Sequence, residues 1–196
     1  MTQLKIGIDL DNTIINYQNS FKKFLKEKNI NSRLIDKKKI KFISNNSLKI
    51  KSWTQAQEEI YGKYIVFAKP FKFFKDFEKF AMKNNVKLFI ISHKTKYSQF
   101  SKKYNLHFQS NKWLKKNISK EIYKICYVNT INQKVKKIAN LNPDYFIDDL
   151  IEIFNHKNFP KKVKKIHFSK IKVDNFYTFS NWNKIKTYIN QNETFK

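Results

Sequence analysis

Two acidic side chains, Asp9 and Asp11, stand directly after the first apolar run of the chain, and the hydroxyl of Thr13 follows two residues later. A short apolar run bounded by polar residues predicts a buried strand. Two carboxylates held close together cost free energy unless a cation or a proton lies between them, so the pair indicates a site. The same stretch also fits an ordinary strand end, in which Asp and Asn begin a turn and Thr starts a helix. This stretch alone leaves both interpretations open.

Polar side chains end two further predicted strands. Ser92 follows the second apolar strand pattern, and Asp148 and Asp149 follow the fourth. In a parallel sheet the carboxyl ends of the strands share one edge, and ligands bind there. Because three strand ends, including the one at Asp9, bring oxygen atoms to this edge, a functional site is favoured over a simple turn.

Strand patterns alternate with helix patterns along the chain, which predicts a doubly wound α/β fold with a parallel sheet of about five strands. Residues 31–51 predict a loop or short helices. The predicted strands begin at Lys5, Val86, Ile122, Tyr145 and Lys165, and the predicted helices cover 16–29, 52–67, 71–84, 97–104, 106–116, 131–141, 150–154 and 181–189.

The chain is strongly basic, with 41 Lys and Arg against 15 Asp and Glu and a net charge of +26. This balance favours anionic partners such as nucleic acid, phosphorylated metabolites, or an anionic lipid or glycan surface. An AT-rich genome would also raise the lysine content, so composition does not choose among these partners. Arg33 is the single arginine. Lysine without arginine argues mildly against base-specific readout.

Composition also excludes some classes of protein. The two glycines, Gly7 and Gly62, are far apart, which excludes a glycine-rich phosphate loop. A single cysteine, Cys126, permits no disulfide framework and indicates a buried strand residue in a reducing compartment. A strand pattern begins near the N-terminus in place of a signal peptide, and no apolar run approaches transmembrane length. We therefore expect a cytoplasmic protein without a membrane span.

The predicted strand ends carry the groups that phosphoryl transfer needs. Carboxylate oxygens suit Mg²⁺, which prefers a few protein oxygens together with water and substrate phosphate. An aspartate can attack phosphorus and form an aspartyl-phosphate. Hydroxyl groups and a lysine can hold the phosphoryl group while charge is stabilised in the transition state.

Four elements follow one another along the chain: Asp9-x-Asp11-x-Thr13, Ser92, Lys134 and Asp148-Asp149. Together they resemble the motifs of the haloacid dehalogenase (HAD) superfamily. More narrowly, Ser-His-Lys-Thr at 92–95 and Phe-Ile-Asp-Asp at 146–149 resemble uncharacterised bacterial HAD-like hydrolases. The resemblance implies a Rossmann-like catalytic core over residues 1–16 and 69–196, with a small helical cap at 17–68 that excludes water and selects substrate.

The resemblance assigns catalytic roles residue by residue. Asp9 would be the nucleophile, and Asp11 would protonate the leaving oxygen and later activate water. Ser92 and the backbone N–H groups of the loop at Asn12 would bind the phosphoryl oxygens, and Thr13 would support that loop.

The resemblance also assigns a role to Lys134, whereas His93 and Lys94 are candidates only from their position directly after Ser92. Lys134 would neutralise the nucleophile–phosphate pair, although Lys136 and Lys137 compete for that role. His93 could contact substrate or be an ordinary loop residue. Lys94 could add positive field for an anionic substrate or belong to the general lysine excess.

Metal binding is also implied by the resemblance. Asp9, the backbone carbonyl of Asp11 and the acidic pair would hold Mg²⁺. A Gly-Asp is usual at the fourth motif, so the direct ligand is open between Asp148 and Asp149.

The leading hypothesis is a Mg²⁺-dependent phosphomonoester hydrolase that forms an aspartyl-phosphate and acts on a small phosphorylated metabolite. A nucleotidase or nucleic-acid-end phosphatase that uses the basic surface is the alternative. A second alternative is a non-catalytic phosphate-binding protein on the same fold.

Overall fold

The computed structural model describes residues 3–30, 41, 52–118 and 122–195. The chain divides into two compact units. The sheet unit comprises Met1–Ile15, Pro70–His93 and Ile118–Lys196. The helical unit comprises Asn16–Lys69 and Lys94–Asn117. The predicted loop or short helices at 31–51 lie, apart from residue 41, outside the described residues.

The sheet unit is built on a six-stranded parallel sheet with the strand order β5-β4-β1-β6-β7-β8. The predicted α/β fold with a parallel sheet is therefore confirmed. The sheet has one strand more than expected because β8, a three-residue segment near the C-terminus, pairs with β7. Two further two-residue strands, β2 and β3, pair in a separate sheet. The strands are β1 Lys5–Ile8, β2 Ile15–Asn16, β3 Lys69–Pro70, β4 Lys87–His93, β5 Ile122–Val128, β6 Tyr145–Asp148, β7 Lys164–Phe168 and β8 Tyr177–Phe179.

Helices begin where side chains can satisfy the first free backbone N–H groups. The Ser52 hydroxyl accepts a hydrogen bond from the N–H of Gln55 at 3.2 Å, and Thr130 caps a later helix in the same way. The helices are α1 Gln18–Glu27, α2 Trp53–Tyr61, a 3-10 helix at Lys63–Phe67, α3 Phe74–Lys83, α4 Leu106–Asn117, α5 Ile131–Leu141, α6 Ile151–Phe154 and α7 Trp182–Asn192.

Apolar residues cover both faces of the sheet. On one face Phe146 of β6 packs with Val135 and Ile138 of α5 in a buried cluster. The register that pairs Ile147 with Ile166 directs Phe168 of β7 to the opposite face, since successive strand residues alternate. Burial on both faces explains why the central strands are almost wholly apolar.

A close approach of two strands fixes the position of β1. Gly7 pairs with Phe146 across the β1–β6 ladder, and a Cβ atom on Gly7 would lie 2.6 Å from the Phe146 ring. Glycine is therefore the residue that lets this ring fill the core immediately below the first strand end.

Trp182 joins the C-terminal helix to the loop after β1. Its indole N–H donates a 3.0 Å hydrogen bond to the carbonyl of Thr13, and its ring packs against Phe74, Phe77 and Phe168. Nothing in the sequence pattern linked this residue to the loop.

We expect Trp182→Phe to lower the free energy of unfolding by about 1–3 kcal/mol, because the buried Thr13 carbonyl would lose its donor. Urea unfolding followed by circular dichroism measures this loss. Trp53→Phe is the control, because Trp53 is only half-buried and should change stability little. Equal losses in the two variants would contradict a specific role for the Trp182 hydrogen bond.

The helical unit has its own aromatic core. Phe24 of α1 and Tyr64 of the 3-10 helix pack edge to face, and the Trp113 indole of α4 donates a 3.0 Å hydrogen bond to the carbonyl of Ala68. This packing places 94–117 with the inserted segment, whereas the prediction assigned 94–117 to the core domain. Buried side chains of α4 hold the segment 94–117 in the helical unit.

The predicted helix at 97–104 is wrong, because this segment consists of bends without helical hydrogen bonding. Ser98 Oγ accepts the N–H of Phe100, and Ser101 Oγ donates to the carboxylate of Glu58 at 2.7 Å. Serine side chains that bond to nearby backbone compete with helix formation. Apolar spacing alone did not reveal this competition.

Among the described residues, no helix combines the length and the apolar character needed to cross a membrane.

Candidate active site

The carboxyl ends of adjacent strands bring the acidic residues together. Asp9 directly follows β1, Asp148 ends β6, and the N–H of Asp9 donates a 2.9 Å hydrogen bond to the carbonyl of Ile147. Because Ile8 pairs with Ile147, the next residues in each strand, Asp9 and Asp148, are neighbours on the same sheet face.

Lys134 forms the centre of the buried charge cluster. Its Nζ atom lies 2.5 Å from Asp9 Oδ1 and 2.7 Å from Asp148 Oδ2, and its side chain has no solvent exposure. Lys134 stands in the first turn of α5, whose start is held by the Thr130 cap. Lys136 on the same helix is exposed. The lysine that contacts both carboxylates is therefore Lys134, and its catalytic role stays a prediction.

Burial sets the protonation of this cluster. Burial raises the pKa of Asp9 to about 7; Lys134 acts against this rise, and Asp148 and Asp11 add to it. Burial opposes the charge on Lys134, yet Asp148 and Asp9 together raise its pKa above the ordinary value. The amine therefore stays protonated, and Asp9 depends on nearby positive charge to be ionised at neutral pH.

Three carboxylates gather closely enough to share a cation. Oxygen atoms of Asp9, Asp148 and Asp149 all lie within 4.8 Å of one another. Asp148 Oδ1 accepts the N–H of Leu150 at 3.0 Å, which fixes its orientation. An all-oxygen donor set with two or three carboxylates fits Mg²⁺. The side chain of Asp11 is not part of this group, and the metal contact of its backbone carbonyl stays a prediction.

The loop after β1 adopts a conformation that few residues favour. Asn12 has a φ of 62°, in the left-handed region where asparagine is better tolerated than most side chains. Its N–H donates to the carbonyl of Ile15 at 3.0 Å, and the N–H groups of Ile14 and Ile15 both bond to the carbonyl of Leu10. The loop is thus held in one tight shape next to Asp9.

Two buried hydroxyl groups in the sheet unit have no hydrogen-bond partner among the described residues. They are Thr13 Oγ1 and Ser92 Oγ, and both side chains are fully buried. A buried polar atom without a partner costs free energy, and such atoms are often explained by a ligand or water. Ser92 is in β4, which pairs with β1, and its role in phosphate binding stays a prediction.

Ser92→Ala should leave the free energy of unfolding unchanged or raise it slightly, because the removed hydroxyl makes no hydrogen bond to the other described residues. Ser110→Ala is the matched control, because Ser110 is equally buried but accepts a 2.9 Å hydrogen bond from Lys94. We expect this control to lose roughly 1–3 kcal/mol. Thermal unfolding of both variants checks the contrast, and a large loss in Ser92→Ala would point to a structural role instead.

Two predicted substrate contacts are not placed in this cluster. His93 is exposed, and its Nε2 atom lies 3.0 Å from the carbonyl of Asn129. Lys94 is buried in the helical unit, where its amine bonds to Ser110 and Tyr17. Its contacts with those side chains show that Lys94 is not simply part of a solvated lysine surface.

Comparison with solved structures identifies the fold of the chain. A HAD-superfamily hydrolase from Ehrlichia chaffeensis is 15% identical, with 97% of this chain and 98% of that chain covered and a TM-score of 0.56. A protein from Clostridium acetobutylicum described as a predicted phosphatase is 12% identical, with 97% and 100% covered and a TM-score of 0.63. A HAD hydrolase from Bacillus subtilis, solved bound to magnesium, is 11% identical with the same coverage and TM-score.

These comparisons show that the chain shares its fold with solved HAD-superfamily hydrolases, and this is the fold that the motifs predicted. The sequence itself matches no protein-family model and no curated protein. Identities this low show the fold, so the activity is argued from the site.

Proposed function

We propose that the protein is a Mg²⁺-dependent phosphomonoester hydrolase that acts on a small phosphorylated substrate through an aspartyl-phosphate. The observation that carries this proposal is the buried cluster of Asp9, Lys134 and Asp148 at the strand ends. Charges buried this deeply are costly, and such clusters occur most often at functional sites. The likeness to HAD hydrolases supports the same conclusion.

In the first step, an oxygen of the Asp9 carboxylate attacks the phosphorus, and the bond between phosphorus and the leaving oxygen breaks. Lys134 contacts Oδ1 of Asp9, which leaves Oδ2 for the attack. Asp11 donates a proton to the leaving oxygen, so an alcohol departs. The Ser92 hydroxyl and backbone N–H groups near Asn12 hold the phosphoryl oxygens as charge develops.

In the second step, Asp11 removes a proton from water, and the water oxygen attacks the phosphorus of the aspartyl-phosphate. The bond between phosphorus and the Asp9 oxygen breaks, which releases inorganic phosphate and restores the carboxylate. One carboxylate thus serves as acid in the first step and as base in the second.

Mg²⁺ would be held by Asp9, Asp148 and Asp149, whose oxygen atoms already lie close together. When bound, it offsets negative charge on the phosphoryl group and on the clustered acids. The unpartnered hydroxyl of Ser92 fits the same phosphate-and-metal site.

Phosphate release from a panel of sugar phosphates, nucleotides and DNA 5′ and 3′ ends tests the proposal. We expect release with Mg²⁺ and none with excess EDTA. Absence of release from the entire panel in the presence of Mg²⁺ would overturn the assignment as a phosphomonoester hydrolase.

Mg²⁺ should also raise the melting temperature by several degrees, because at about 100 times its Kd a ligand adds roughly 2.7 kcal/mol to stability. Asp149→Asn should reduce this shift, since Asp149 is the half-buried member of the acid group. Glu152→Gln, at a nearby exposed position, is the control and should keep the full shift. An unchanged shift in Asp149→Asn would assign the metal to the other two acids.

A non-catalytic phosphate-binding protein on this fold is the remaining alternative. Asp11 decides between the two, because binding does not require an acid–base group. We propose the catalytic role: Asp11→Ala should lose phosphate release and still bind inorganic phosphate. A wild-type protein that binds phosphate but releases none from any ester would be the non-catalytic alternative, and full activity of Asp11→Ala would exclude Asp11 as the acid–base group.

A further inference from the structure

Positive charge is distributed unevenly between the two units. The helical unit has 20 Lys and Arg against 4 Asp and Glu, whereas the larger sheet unit has 21 against 11. A uniform lysine excess from codon usage would spread the charge evenly. The net positive charge of the helical unit is larger than the binding of one phosphate group requires. A charge of this size suits an anionic polymer.

An open cleft of about 470 Å³ lies within the helical unit. Lys69 and Lys116 on its walls are both exposed, and Asn19 and Asn117 also line it. The cleft therefore offers two cations and two polar, uncharged residues in one place.

An aromatic ring is exposed in the same cleft. Phe67 is 42% exposed although its neighbours Tyr64 and Ala68 are buried, and the amine of Lys23 lies 5.7 Å from its ring centre. A solvent-exposed ring beside cations is the arrangement on which an unpaired base stacks while its phosphates meet lysines.

We propose that this cleft of the helical unit binds single-stranded nucleic acid. Phe67 stacks on a base, and Lys69 and Lys116 contact the flanking phosphates. Lysine in place of arginine fits binding with little sequence preference. A duplex keeps its bases stacked, so the exposed Phe67 ring favours an unpaired strand. The inference stands independently of the phosphatase activity.

Fluorescence anisotropy with a labelled oligothymidylate of about 12 nucleotides, measured in EDTA with the full-length protein, tests this proposal. We expect affinity to fall steeply between about 50 and 200 mM NaCl. Lys69→Gln combined with Lys116→Gln should weaken binding and reduce the salt slope by about 1.4, since each single-strand phosphate contact contributes about 0.7. Phe67→Leu should weaken binding at least about fivefold and leave the slope unchanged.

Lys75→Gln combined with Lys79→Gln is the matched control, because it removes the same charge from exposed positions on α3 of the sheet unit. This control should keep the wild-type slope. An equal loss in both pairs, or no binding at about 50 mM NaCl, would overturn the proposal. Inorganic polyphosphate that binds as tightly as the oligonucleotide, with no effect of Phe67→Leu, would overturn it in favour of a polyanion without bases.

Discussion

Asp9→Asn is expected to lower the rate of phosphate release by at least about 10⁴-fold, the scale on which removal of a catalytic nucleophile acts. An amide oxygen is a poor nucleophile, and it cannot form the acyl-phosphate that the second step hydrolyses. Initial rates at saturating substrate and Mg²⁺ measure the loss.

The variant should stay folded, because Lys134 keeps its 2.7 Å contact with Asp148 when Asp9 becomes neutral. Asp76→Asn is the control, because Asp76 is exposed on α3 and should change neither activity nor stability. Activity within tenfold of wild type in a folded Asp9→Asn protein would remove Asp9 from the role of nucleophile.

Lys134→Met should destabilise the protein by about 3–5 kcal/mol, the usual cost of removing one partner from a buried charge pair. The substitution keeps the volume of the side chain but leaves Asp9 and Asp148 in a site with almost no solvent exposure. Urea unfolding in EDTA measures this loss, and Lys136→Met on the exposed side of the same helix is the control.

Two further measurements distinguish charge loss from a packing defect. Mg²⁺ should recover part of the stability of Lys134→Met, because the cation replaces positive charge beside the carboxylates. Adding Asp9→Asn to Lys134→Met should also recover stability, since one of the two uncompensated carboxylate charges is then removed. A deficit that neither change reduces would show that the lysine acts by packing alone.

The alternation of apolar strands and amphipathic helices is sufficient to predict the fold class. The helix at 131–141 and the strand at 122–128 begin and end as predicted. Local patterns succeed here because burial on both faces of a parallel sheet demands continuous apolar runs. The strand-end positions of Asp9, Ser92 and Asp148 followed from the same patterns.

Other features depended on contacts between residues far apart in the chain. Tyr177–Phe179 became a strand only through its pairing with β7. The bends at 97–104 depended on a bond between Ser101 and Glu58, which are 43 residues apart. No short window of sequence contains such contacts, so local apolar spacing could not predict them.

The sequence by itself determined the α/β fold, the acids at the strand ends and the order of the motifs, because each is recorded in local residue type and spacing. The tertiary structure determined which lysine contacts those carboxylates. Lys134 and Lys136 share one helix and one chemistry, yet the direction each takes around that helix buries the first and exposes the second. It also decided that Trp182 supports the loop at Thr13 across 169 residues. These assignments depend on how elements pack, which spacing along the chain does not record.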